Sequence, residues 1–106
     1  MEKAMERRDL YNELDYNGHV NNVSYIRWIE DAMNPCLLEQ AKKMHLEINY
    51  LNEIRPGELT SIWKKNITAE SAAFTNLSNA FAFEGKIERG KEDLTAFFAE
   101  LRLMQN

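Results

Sequence analysis

The densest run of chemistry-bearing side chains is Asp15-Tyr16-Asn17-Gly18-His19-Val20-Asn21-Asn22, which stands immediately before the strongest helical pattern in the chain. A helix N-terminus exposes backbone N–H groups without intrahelical partners and carries partial positive charge. A carbonyl oxygen gaining negative charge could be stabilised there by backbone N–H groups near Gly18 and Val20, with Gly18 allowing close approach. His19 supplies a proton acceptor near neutral pH, and Asp15 a carboxylate able to orient it. The same residue types also build turns and caps. Asp15 and Asn17 suit an Asx-type turn, and Asn21 or Asn22 is a good N-cap. Residue chemistry alone leaves both readings open. His19 and His45 have no metal-ligand spacing, and no glycine-rich phosphate loop occurs, so neither a metal nor another cofactor is expected.

The elements that would position this loop can be read from periodicity. Val23, Ile26, Ile29 and Met33 recur at helical spacing, with Tyr25, Trp28 and Ala32 in an adjoining stripe. So wide an apolar arc predicts a helix largely wrapped by other structure. Asn34-Pro35 should interrupt it, because the residue before proline resists the α conformation, and a short second helix is expected over 36–42. Cys36 is expected to be a small buried hydrophobe. From residue 43 the period changes to two. Met44, Leu46, Ile48 and Tyr50 alternate with His45, Glu47 and Asn49, which predicts a half-buried strand with His45 on its wet face. Further strands are expected at 5–14, 59–68, 72–84 and 92–104. Arg55-Pro56-Gly57-Glu58 should form a turn, and Glu84-Gly85-Lys86 and Arg89-Gly90-Lys91 read as punctuation. The fold class is α+β, with one helix packed on one antiparallel sheet.

Composition bounds the partners. A chain of 106 residues with 44% hydrophobic and 28% charged residues suits one globular domain, 1–106. A net charge of −4 speaks against nucleic acid. No 18-residue apolar run is present, so no membrane span is expected. One cysteine excludes an intrachain disulfide and fits a reducing compartment. The N-terminal residues lack the apolar core of a secretion signal, so the expected location is cytoplasmic.

The loop also carries a resemblance. Asp15-x-Asn17-Gly18-His19-Val20-Asn21-Asn22-x-x-Tyr25-Ile26-x-Trp28 resembles the signature of the acyl-ACP thioesterases, hotdog-fold enzymes of fatty-acid synthesis. Trp28-Ile29-Glu30-Asp31-Ala32-Met33-x-Pro35 resembles that family's helix end. Leu46-Glu47-Ile48-Asn49-Tyr50-Leu51-Asn52-Glu53-Ile54 resembles its next strand, which ends in a catalytic glutamate. The shorter core of the loop motif also occurs in single-domain acyl-CoA thioesterases of the same fold.

The resemblance implies a hotdog domain, an antiparallel sheet wrapped around one long central helix, that hydrolyses a fatty acyl thioester. Acyl-ACP is the implied substrate and acyl carrier protein the implied partner; the alternatives are acyl-CoA hydrolysis and a non-catalytic acyl-binding fragment. It marks Asp15, Asn17, His19 and Glu53 as the catalytic set, and makes Tyr25 and Trp28 candidates for the acyl pocket, although their spacing also suits plain core. Either Glu53 and Asn17 hold an attacking water, or Asp15 or Glu53 is itself the nucleophile through an anhydride. Ile54 stands where some family members carry a cysteine, which removes a thiolate nucleophile at that position. The basic pairs Arg7-Arg8, Lys42-Lys43 and Lys64-Lys65, with Arg55, could attract an acidic carrier. The family usually joins two hotdogs in tandem. One such domain must self-associate, be a fragment of a longer chain, or have diverged to act alone, and a homodimer or higher homo-oligomer is the expectation.

Overall fold

The computed structural model describes residues 1–8, 22–55, 57–71 and 76–105. In chain order the elements are β1 (Glu2–Arg8), α1 (Asn22–Asp31), α2 (Pro35–Gln40), β2 (Lys43–Tyr50), β3 (Leu59–Asn66), β4 (Leu77–Arg89) and β5 (Glu92–Met104). The five strands form one antiparallel sheet in the order β1-β3-β4-β5-β2. β1 and β2 therefore lie on opposite edges. The chain between them includes both helices, and the segment from β2 to β3 must pass β5 and β4.

One face of the sheet carries Ile62, Phe81, Phe83, Ile87, Phe97, Ala99, Leu101 and Leu103, all buried, and α1 packs there through Tyr25, Trp28 and Ile29. Residues three and four apart share a helix face, which is why these three meet the sheet together. Trp28, Phe83 and Phe97 are almost completely removed from water, each contributing about 2–3 kcal/mol. Two cations tie the far end of α1 down. The Arg7 guanidinium bonds the Asp31 carboxylate at 3.2 Å and lies over the Trp28 ring, and Lys64 Nζ donates to the Ala32 carbonyl at 2.9 Å. A cation at a helix C-terminus also complements the helix dipole.

Several boundaries and environments differ from the sequence expectation. α1 has ten helical residues rather than running through Met33, and Ile26 is exposed, so among the described residues the helix is buried mainly through Tyr25, Trp28 and Ile29. The break falls where proline requires it. Asn34 is extended and its Oδ1 caps α2 by accepting from the Cys36 N–H at 2.9 Å. Cys36 is exposed on the outside of that short helix, not buried as expected. β1 begins at Glu2, and the part of the expected strand over 9–14 lies outside the described residues. β4 begins at Leu77, with 72–75 likewise undescribed.

The larger correction concerns Gly85, expected to punctuate and found in the middle of β4. It pairs across the sheet with Phe97, and a Cβ there would collide with the Phe97 ring. Glycine is present for close approach, not for a turn. Gly90 is a true turn residue, with φ +64 between β4 and β5. β2 alternates as expected, but as an edge strand it leaves Met44 and Tyr50 exposed. No helix among the described residues is long and apolar enough to cross a membrane.

Candidate active site

Glu53 lies three residues past the end of β2, in the crossover 51–58 rather than in the strand itself. That crossover is fastened to the sheet at successive strand ends. At β5, the N–H groups of Leu51 and Asn52 donate to the Ala96 carbonyl at 2.8 and 3.2 Å, and the Asn52 side-chain amide donates to the Thr95 carbonyl at 2.7 Å. Ala96 is available because of a bulge: Gly85 pairs with Phe97 but Lys86 with Thr95, leaving Ala96 outside the pairing. At β4, Arg89 Nη2 donates to the Glu53 carbonyl at 2.9 Å. Arg89 also grips both oxygens of Glu58, from Nε at 2.7 Å and from Nη2 at 2.9 Å. Glu58 Oε1 in turn accepts the Arg55 N–H at 2.6 Å, just before β3 begins. Between these anchors the Ile54 side chain is fully buried, while the Glu53 and Arg55 side chains are exposed.

The Arg89 hydrogen bonds hold the Glu58 carboxyl below its ordinary range, and the Arg55 N–H acts in the same direction against the cost of burial. Reciprocally, Glu58 raises the Arg89 guanidinium further above its ordinary value. Both stay charged at neutral pH, so the clamp is permanent there.

The start of α1 is brought to this same end of the molecule. The Tyr25 ring meets Phe97 and Tyr50 with centroids 5.2 Å apart in each case, and Trp28 at 5.6 Å. Tyr50 is the last residue of β2, three before Glu53. Partial burial raises the Tyr50 phenol above its usual range, so it remains a neutral donor at pH 7. Gly85 matters here: it lets the Phe97 ring lie across β4, and Phe97 is the surface on which Tyr25 rests.

Asp15, Asn17, Gly18, His19 and Val20 lie outside the described residues. Of the expected catalytic set the structure describes Glu53, and it joins Glu53's segment to the helix that the signature loop enters. Tyr25 and Trp28 are core residues, 4% and 0% exposed. An apolar cavity of about 260 Å³ opens between α1, α2, β2 and β5, lined mainly by Ile26, Ile29, Leu38, Met44, Leu46 and Leu101, and neither Tyr25 nor Trp28 lines it. Sequence reading missed Asn52, Glu58, Tyr50 and Arg89. Arg89 was visible only as part of a turn, and no spacing rule connects it to Glu53 36 residues earlier.

The basic pairs are not gathered around Glu53. Lys42 and Lys43 stand at the start of β2, a strand length of roughly 23 Å from its Glu53 end. Arg7 and Lys64 are engaged with α1, whereas Arg55 is exposed beside Glu53. On the opposite face, Glu47 accepts from Arg102 at 3.0 Å and stands 3.0 Å from the ring nitrogen of exposed His45. Arg102 also bonds Glu100 at 2.9 Å. His45 thus serves a surface network on the wet side of β2, as its alternation predicts.

Comparison with known proteins adds four findings. The family model described as the acyl-ACP thioesterase C-terminal domain matches residues 2–96. A chloroplastic palmitoyl-acyl carrier protein thioesterase from Cuphea hookeriana is 44% identical over 43 residues, which are 41% of this chain and 10% of that protein. Among solved structures, a hexameric hotdog-fold thioesterase of Campylobacter jejuni superposes with a TM-score of 0.74 at 11% identity, covering 100% of this chain and 84% of that one. An acyl-ACP thioesterase from Bacteroides thetaiotaomicron gives 0.69 at 22% identity, covering 95% of this chain and 37% of that one. At such identities the likeness carries the fold alone, and the fold is the hotdog. The chain therefore spans only a small part of the plant relative and about a third of the Bacteroides protein.

Proposed function

The chain belongs to the acyl-ACP thioesterase C-terminal domain family, a family of thioester hydrolases, and from that membership we propose that it hydrolyses a fatty acyl thioester, with acyl-ACP as substrate. Water adds to the thioester carbonyl, the carbon–sulfur bond breaks, and a free fatty acid and a thiol leave. Glu53 and Asn17 hold and activate the water, His19 carries its proton toward the departing thiolate, and Asp15 orients His19. Backbone N–H groups near Gly18 and Val20 receive the oxyanion. The observation that supports this best is the crossover: it offers an exposed carboxylate on a fixed backbone, on the end of the sheet where α1 begins. Ile54 follows Glu53, so the water is activated by carboxylate and imidazole without a neighbouring thiol.

The alkyl chain is assigned to the apolar cavity of Ile26, Ile29, Leu38, Met44, Leu46 and Leu101. Each buried methylene contributes about 0.8 kcal/mol, so affinity should rise about fourfold per added carbon until the cavity is full. Residues 1–106 act as one hotdog that pairs with a second copy. Exposed Ile26, Met44, Tyr50 and Leu51 lie on or next to β2, and β2 has β5 as its one neighbour among the described strands. An unpaired edge bordered by apolar side chains is a surface that association covers. The proposed setting is the cytoplasm, on the single exposed thiol, which belongs in a reducing compartment; the Cuphea relative is chloroplastic.

Rates on acyl-ACP and acyl-CoA of equal chain length test the carrier. Faster release of fatty acid from acyl-ACP supports the proposal, with the Arg55→Glu variant raising KM for acyl-ACP. Equal or faster hydrolysis of acyl-CoA would replace the carrier protein by CoA.

A further inference from the structure

We propose that Arg89 is a positioning residue for Glu53: its guanidinium sets the backbone from which the Glu53 carboxylate acts. The proposal rests on the reading of Glu53 as the water-activating group and extends it to a residue on another strand. A carboxylate that activates water must be held within a fraction of an ångström of its working position, and side chains on unsupported loops are not. Glu53 lies on such a connection, between β2 and β3.

Each side of Glu53 has an anchor. Upstream, three hydrogen bonds from Leu51 and Asn52 fix the chain to the Ala96 bulge and Thr95. Downstream, the peptide carbonyl of Glu53 itself is held by Arg89, which fixes the peptide plane that leads into buried Ile54. Arg89 is aimed by Glu58. Its Nε and one Nη2 hydrogen take the two carboxylate oxygens, and the second Nη2 hydrogen is left to reach the Glu53 carbonyl. Glu58 is itself placed by the Arg55 N–H, two residues beyond Glu53. The result is a closed set of contacts among Glu53, Arg55, Glu58 and Arg89. Only a planar fork can serve the two carboxylate oxygens and the carbonyl together. A lysine ammonium would keep the charge and lose the geometry.

Steady-state hydrolysis by the full chain, with rates referred to the folded fraction measured by circular dichroism, tests this. Arg89→Ala and Arg89→Lys should each lower kcat by about tenfold or more, with KM changed by less than about twofold. Glu58→Gln, which keeps the shape and weakens the fork, should show the same split to a smaller degree, and serves if Arg89→Ala does not fold. Retention of kcat by Arg89→Ala, or its recovery in Arg89→Lys, would overturn the positioning role and show a structural charge pair instead. Glu53→Gln separates the two levels. If it keeps the wild-type rate, the reading of Glu53 fails and the role of Arg89 with it; if it is inactive while Arg89→Ala is fully active, only the role of Arg89 fails.

Discussion

Thr60 is fully buried on the inner face of β3, between Arg7 of β1 and Ile87 of β4, and among the described residues its hydroxyl has no hydrogen-bond partner. A buried hydroxyl without a partner costs free energy that an isosteric methyl would not. Thr60→Val should therefore raise stability by about 1 kcal/mol, seen as a Tm higher by about 4–8 °C in thermal denaturation. A lower Tm would mean that the hydroxyl is bonded in solution. Gly85 makes the opposite case. Gly85→Ala forces a methyl into the Phe97 ring and should cost about 1–3 kcal/mol, with the fluorescence of neighbouring Tyr25 and Trp28 disturbed. The two positions also show what single residues reveal in a sequence. His45 was legible, since alternation placed it on the wet face. Gly85 and Cys36 were not: a glycine that admits a ring across a strand looks the same as one that turns the chain. A cysteine's burial likewise depends on which side of a short helix it occupies.

Among the elements, α1 and β2 were legible because periods of 3.6 and 2 are written in their apolar residues, and α2, β3 and β5 were placed between the breaks and turns that bound them. The break at Asn34-Pro35 was legible because proline dictates it. The crossover 51–58 was not. Its hydrogen bonds run to Thr95, Ala96 and Arg89, distant partners that no local pattern announces. Its acid response follows from Glu58. The folded carboxyl titrates below the ordinary value of 4.5 because Arg89 bonds its ionised form. The stabilisation is complete above that value and is lost as pH falls through the lower folded one. Glu58→Gln should thus lower Tm by about 5 °C at pH 7, with the gap to wild type closing below pH 4.5. A gap that stays constant through that range would show that the pair contributes nothing through ionisation.

At the scale of the molecule, the hotdog arrangement was legible only through the resemblance carried by the signature loop. Periodicity alone reached one helix on one sheet. The order β1-β3-β4-β5-β2, which sends the crossover past the ends of β5 and β4, is a tertiary fact. Among the described strands that order leaves β2 open along one side, next to exposed Met44 and Tyr50. Light scattering coupled to size exclusion should therefore find a dimer or larger assembly. Met44→Lys should shift it toward monomer and reduce turnover; a monomeric wild type that retains full activity would show that one hotdog suffices.

In the proposed reaction a carboxylate on the crossover and a histidine in the signature loop act together on an acyl thioester. Release of free fatty acid from acyl-ACP, followed by mass spectrometry so that the exposed Cys36 thiol does not interfere, tests it most directly. The wild type should turn over, with Glu53→Gln and His19→Ala each slower by about a hundredfold or more. Equal and negligible release by all three proteins would contradict the claim and leave an acyl-binding domain without catalysis.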